Sequence, residues 1–232
     1  MSAVIFDIET GPADEDTIAE VFVPKTKEEF VGAQKWKPET VEVKYAEYLK
    51  TALQDFKKQA ALSALTGQIL AIGYRTIEKK IIHGIGEPWT DGSIMTERDV
   101  LEKFWHFYKQ LRSASRQMIG FNIKDFDIPY IVQRSIILGV SIPSSLFAQG
   151  KYLDSLFVDL RMTWLGGQYN GKGSLDAICK ACGIGAKTEG VDGGMFSELW
   201  NGKPEDRTKA KEYLLNDLEM TWSLADRCGV LA

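Results

Sequence analysis

The chain has 232 residues, is 44% hydrophobic and 26% charged, and sets 28 basic against 32 acidic residues for a net charge of −4. That composition suits one soluble globular domain with a sizeable core, and excludes disordered, collagenous and coiled-coil chains. It also excludes a protein that holds nucleic acid by basic excess alone, although carboxylates gathered around divalent cations are compatible with an acidic chain that attracts phosphate.

The longest apolar runs, such as residues 69–72 and 136–138, are far too short to span a bilayer. No charged-then-apolar leader opens the sequence. The expectation is a cytoplasmic protein with no membrane partner. Three cysteines cannot build a disulfide framework, and Cys179-x-x-Cys182 lacks both a second pair and a nearby histidine, since His83 and His106 are remote. Buried structural thiols are expected.

In chain order, residues 2–9 read as a buried strand that turns polar at its end and breaks at Gly11-Pro12. Residues 23–65 form a lysine- and aromatic-rich stretch, with Phe30, Trp36, Tyr45, Tyr48 and Phe56, which reads as a helical or flap insertion able to touch a polyanion. A β-hairpin follows at 68–75 and 79–85. Helical spacing of Val100, Leu101, Phe104, Phe107, Tyr108 and Leu111 predicts a core-facing helix over 96–112, with Thr96 and Asp99 as its cap. Then come a strand at 117–121, a helix at 128–138, a strand at 155–162, and helices at 174–181, 195–200 and 204–226, with Ser174 capping the first of these three. An antiparallel start followed by alternating helices and strands predicts an α/β fold with a mixed sheet and helices on both faces. No linker or repeat divides residues 1–232, so a single domain is expected.

Three clusters carry chemistry. Asp7 and Glu9, two apart on one strand, leave the same face and can share a cation. Gly120-Phe121-Asn122-x-x-Asp125-Phe126-Asp127-x-Pro129-Tyr130 places acids where a strand ends and a helix begins, and helix capping is the ordinary explanation for either aspartate. Tyr213 and Asp217 lie one turn apart on one face of the last helix, while Leu214, Leu218, Thr221, Trp222 and Ala225 form its core stripe. Asp159, at the end of a strand, reads as a structural acid or a supporting partner of the site. Lys124, Arg161 and Lys172 could reach phosphates, although a solvated side chain is the ordinary reading of each, and most of the tryptophans read as packing groups. The near-match of residues 166–174 to a nucleotide-binding loop fails because Gly173 stands where a hydroxyl would bind magnesium.

Together these clusters resemble the three motifs of the DEDD superfamily of 3′-to-5′ exonucleases: Phe6-Asp7-Ile8-Glu9-Thr10, then Asn122-x-x-x-Phe126-Asp127, then Tyr213-x-x-x-Asp217. The second motif is most similar to that of the proofreading domain of family B DNA polymerases, and Tyr213 in place of histidine matches the tyrosine (DEDDy) subclass. The resemblance covers nearly the whole chain. It implies a ribonuclease H-like fold, an antiparallel hairpin joined to parallel strands, and selects Asp127 over Asp125. It also implies two divalent cations, Mg or Mn, about 4 Å apart, the first held by Asp7, Glu9 and Asp217 and the second mainly by Asp7 with Asp127 helping through water. Tyr213 would aim the attacking water, and Thr10 and Asn122 would contact the terminal nucleotide. The activity expected from the resemblance is stepwise hydrolysis of single-stranded DNA 3′ ends to nucleoside 5′-monophosphates. An exoribonuclease, or a nucleic-acid-binding or polymerase-associated module without catalysis, are the competing readings. With no polymerase domain in the sequence, any proofreading would need a separate polymerase or other replication and repair partners.

Overall fold

A computed structural model describes residues 3–89, 91–147, 153–168, 171–186 and 193–231. The chain divides into two compact units, one of Met1–Thr10 with Ile69–Ala232, the other Gly11–Gln68.

The larger unit is built on a five-stranded sheet. Its strands are β1 (Val4–Pro12), β2 (Gly67–Arg75), β3 (Lys80–Gly84), β4 (Met118–Gly120) and β5 (Phe157–Asp159), in the spatial order β3-β2-β1-β4-β5. β2 and β3 pair antiparallel, with Tyr74 opposite Ile81 and Ile72 opposite His83. β1, β4 and β5 run parallel, with Val4 beside Met118 and Gly120 beside Asp159. This is the mixed, helix-flanked sheet expected, and it is consistent with a ribonuclease H-like fold.

The two faces are read from alternate residues of β1. Phe6 packs toward Phe104 of α4 (Glu97–Ser113), with ring centroids 5.6 Å apart. Ile5 belongs instead to a core with α7 (Leu175–Ala181), α8 (Gly193–Trp200) and α9 (Pro204–Arg227). Asp7 and Glu9 share the parity of Ile5, so the strand aims both at α9. On the other side, α4 starts with the expected capping box of Thr96 and Asp99. It is tied to α5 (Asp127–Leu138) by the buried pair Glu97–Arg134 at 2.6 Å. Glu97 also accepts the Ile69 N–H of β2 at 2.8 Å, so one carboxylate fastens a strand and two helices.

The strand predicted at 155–162 ends at Asp159, because that carboxylate accepts the Arg161 N–H and caps α6 (Leu160–Leu165). β1 extends to Pro12, three residues beyond the predicted strand. Ser174 caps α7 as expected, accepting the Ala177 N–H. The nucleotide-loop-like stretch lies partly outside the described residues. Cys179 is buried, Cys182 half-buried and Cys228 exposed, and all three are free thiols.

The smaller unit contains α1 (Glu15–Val21), α2 (Lys27–Val31) and α3 (Pro38–Ala60). Thr26 and Glu29 close a capping box on α2. Phe30 of α2 packs on Trp36, Tyr45 and Tyr48, and the Tyr45 hydroxyl donates to the Lys25 carbonyl. Much of the aromatic character of the predicted insertion is therefore used in joining α2 to α3, and Lys27 is paired with Glu42. No helix among the described residues is long and apolar enough to cross a membrane.

Candidate active site

The carboxyl-terminal part of β1, the start of α7 and the middle of α9 enclose a cleft of about 430 Å³. Asp7, Glu9, Tyr213 and Asp217 line it, with Asn122 and Arg161 on its wall. Asp7, Glu9 and Asp217 each offer a carboxylate oxygen within 4.8 Å of the others. Asp7 is half-buried, while Glu9 and Asp217 are buried at 9% and 4% exposure. Two come from alternate positions of a strand and one from a helix on the same side of the sheet. The sheet's handed layering thus brings together acids separated by some two hundred residues of chain.

Asp127 sits beside this group rather than in the cleft wall. It is 3% exposed, and its Oδ1 accepts the Ile8 N–H at 3.2 Å, which pins the start of α5 to β1 between Asp7 and Glu9. It does not cap its helix: Phe126 occupies the N-cap position without a side-chain bond. Burial first, and then the neighbouring Asp7, hold the Asp127 carboxyl well above the usual carboxylate range. Asp125, in contrast, is exposed and pairs with Arg161 at 3.6 Å.

A tight turn delivers Asp127. Gly120 ends β4 where any side chain would collide with Ile123 and the Phe6 carbonyl. Asn122 follows in the left-handed region at φ 63°, which asparagine tolerates better than most residues. The turn is fastened by Asp159, whose Oδ1 accepts the N–H groups of Asn122 and Arg161 and whose Oδ2 accepts that of Lys124, each at 2.9 Å. Asp159 is thus an organising acid of the second motif. The sequence signal for it was a carboxylate at a strand end, too common to assign a partner.

Tyr213 is buried, with Phe196 of α8 at a centroid distance of 6.2 Å, and lies one turn before Asp217 on the cleft side of α9. Asn122 lines the cleft. Thr10 is half-buried next to Glu9 and is not among the residues lining the cleft. Arg161, read from sequence as solvated, is on the cleft wall, where its guanidinium also reaches the Gly171 carbonyl at 3.5 Å. It is the cation best placed to meet a phosphate.

The donor set fits a hard divalent cation: three convergent carboxylates, a fourth acid held above its ordinary pKa by burial and then by the neighbouring Asp7, and no sulfur or imidazole among the described lining residues.

Comparison with known proteins identifies the family and the fold. Residues 54–231 match a family model described as a predicted 3′-5′ exonuclease related to the exonuclease domain of PolB. That match covers the second and third acidic clusters, whereas Asp7 and Glu9 precede it and rest on the geometry above. An uncharacterized protein of Methanocaldococcus jannaschii is 30% identical over 172 residues, covering 70% of this chain and 86% of that protein. The structure of the family B DNA polymerase of Pyrobaculum calidifontis superposes with a TM-score of 0.55 at 17% identity, over 98% of this chain. The chain spans only 24% of that polymerase, so the likeness concerns a domain's fold. The chain belongs to the family of predicted 3′-5′ exonucleases related to the exonuclease domain of family B DNA polymerases.

Proposed function

We propose that the protein is a metal-dependent 3′-to-5′ exonuclease that shortens single-stranded DNA one nucleotide at a time. The observation that carries this is the convergence of Asp7, Glu9 and Asp217 within 4.8 Å of one another, with Asp127 buried alongside and Tyr213 one turn away. Asp7, Glu9 and Asp217 would hold one divalent cation, and Asp7 with Asp127 would help hold a second. Bound there, the cations would supply an activated water and stabilise the leaving oxygen.

The chain's own residues account for the remainder. Tyr213 presents a hydroxyl that hydrogen-bonds and orients the attacking water. Arg161, on the cleft wall, meets the scissile phosphate, and Asn122 contacts the terminal nucleotide. Water adds across the bond: its hydroxyl joins phosphorus, the bond from phosphorus to the 3′ oxygen breaks, and a proton passes to that oxygen. The products are a nucleoside 5′-monophosphate and a strand with a new 3′-hydroxyl.

The test is incubation of purified protein with 5′-labelled single-stranded DNA and RNA, in magnesium, manganese or chelator. Stepwise shortening of DNA from the 3′ end in metal alone is expected. Faster shortening of RNA would reassign the substrate, and binding without shortening would end the enzymatic reading. Asp7→Ala should lower the rate more than about 100-fold, beyond the usual effect of a supporting residue, whereas Asp125→Asn should leave it nearly unchanged.

A further inference from the structure

A second cavity lies on the α4 side of the sheet, the face opposite the carboxylates. Its volume is about 490 Å³, within the common range of small-molecule sites. Tyr74 of β2, His83 of β3, Phe107 of α4 and Trp89, in the loop after β3, form much of its wall. Neighbouring Gly73 faces Leu214 and Leu218 of α9, so Tyr74 is directed to the other side, where its ring meets Phe107 edge-on at 5.1 Å.

Two polar atoms of this wall have no hydrogen-bond partner among the described residues: the Tyr74 hydroxyl and His83 Nδ1, both shielded from solvent. Tyr74 is only 2% exposed. Such orphans are rare in folded proteins and mark places where a ligand or an ordered water completes the bonding. Both groups are neutral near pH 7. Burial raises the Tyr74 hydroxyl pKa, and burial followed by Lys103 lowers that of His83 to about 4. Cations stand at the cavity as well: Lys79 is exposed, and Lys103 places its Nζ 3.9 Å from the Trp89 ring centroid.

We propose that this cavity binds a nucleotide, its base against the aromatic wall with a polar edge at Tyr74 and His83, and its phosphate at Lys79 and Lys103. A purely apolar ligand would leave both buried polar atoms unmet. Inorganic phosphate would leave the aromatic wall uncovered. A nucleoside monophosphate satisfies all three features in one molecule, and it arises either as a free mononucleotide or as an unpaired residue of a strand. The proposal does not depend on hydrolysis at the carboxylate cleft.

Isothermal titration of the full chain in chelator separates the outcomes. The probes are deoxyadenosine monophosphate, deoxyadenosine, inorganic phosphate and a short single-stranded oligonucleotide. Saturable binding of the monophosphate is expected, with deoxyadenosine and phosphate each at least about tenfold weaker. Tyr74→Phe should weaken it roughly 2- to 10-fold, the loss of one hydrogen bond, without lowering the melting temperature, since it removes an orphan. If that variant proves unstable, Lys103→Ala, a change at the cavity mouth, should still weaken binding of the monophosphate while leaving deoxyadenosine unaffected. An oligonucleotide that competes, with the same sensitivity to Tyr74→Phe, assigns the source to a strand; failure to compete assigns it to free nucleotide. Absence of binding by both monophosphate and oligonucleotide overturns the proposal. So do affinities unchanged in both variants, or binding lost in Asp7→Asn, which would move it to the cleft.

Discussion

Replacing Asp159 by alanine should unfasten the turn that carries Asp127, although Asp159 is not expected to touch substrate. Its carboxylate accepts three backbone N–H groups at 2.9 Å, from Asn122, Lys124 and Arg161. Hydrogen bonds to a charged acceptor contribute about 1.5–3 kcal/mol each, or about 4–9 kcal/mol if the three were independent. They share one carboxylate, and the donors belong to half-buried residues that water can reach, so the sum overstates the loss. We expect about 3–4 kcal/mol, which for a chain of this size lowers Tm by roughly 6–16 °C. The site should respond too, because displacing a catalytic group by about 1 Å costs on the order of 100-fold in rate. Urea unfolding followed by fluorescence, with exonuclease rates measured on the folded fraction, separates the two effects. Asp159→Asn should fall between, since an amide can still accept from Asn122 and Arg161 but turns a donor toward Lys124 if it keeps that orientation. An Asp159→Ala protein with stability within about 0.5 kcal/mol of wild type and an unchanged rate would refute the reasoning.

Asp127→Asn should abolish most activity yet raise the stability of the metal-free protein at pH values above the folded Asp127 pKa, because the amide can keep accepting from Ile8 without the cost of a buried charge beside Asp7. The same residue sets a pH dependence in chelator. Its folded pKa is above the unfolded one, so the native state binds more protons in that window and the Asp127 contribution to stability falls as pH rises through it, a slope that Asp127→Asn should remove. His83 acts with the opposite sign: its pKa of about 4 lies below the ordinary 6.5, the unfolded state binds the extra proton, and the His83 contribution is lost as pH falls from about 6.5 toward 4. Thermal melts of His83→Gln against wild type across that range should show the flatter profile in the variant. Glu97→Ala should cost about 3–5 kcal/mol in denaturant unfolding, since it breaks the buried ion pair with Arg134 from one side and removes the acceptor of the Ile69 N–H. Addition of manganese to wild type should raise Tm, by about 2.7 kcal/mol of stability at one hundred times the dissociation constant, and Asp7→Asn should lose most of that gain.

The parts of the fold legible in sequence were those with strong periodicity or local chemistry. The apolar stripe of α4, the Thr96–Asp99 cap and the isoleucine-rich hairpin each state their structure within a few residues. Alternation along β1 sufficed to place Asp7 and Glu9 on one face, and the four-residue spacing placed Tyr213 beside Asp217. What local pattern could not supply was partnership across the chain. Asp127 looks like a helix cap in sequence, and only the approach of α5 to β1 gives its carboxylate the Ile8 N–H instead. Asp159 likewise reads only as an acid at a strand end, whereas it caps α6 and fastens a turn some 35 residues upstream. Arg161 reads from sequence only as a solvated cation for the same reason. Its place on the cleft wall follows from the start of α6 beside β4, a tertiary relation with no local signature. The aromatic residues of the second unit were noticed as a binding signal, yet Phe30, Tyr45 and Tyr48 are largely occupied with one another.

Anomalous diffraction from crystals soaked in manganese asks whether Asp7, Glu9, Asp127 and Asp217 form one divalent-cation centre. Two manganese peaks are expected in the cleft, one among Asp7, Glu9 and Asp217 and one toward Asp127. Crystals that take up manganese only at other side chains, with the cleft carboxylates unchanged, would contradict such a centre.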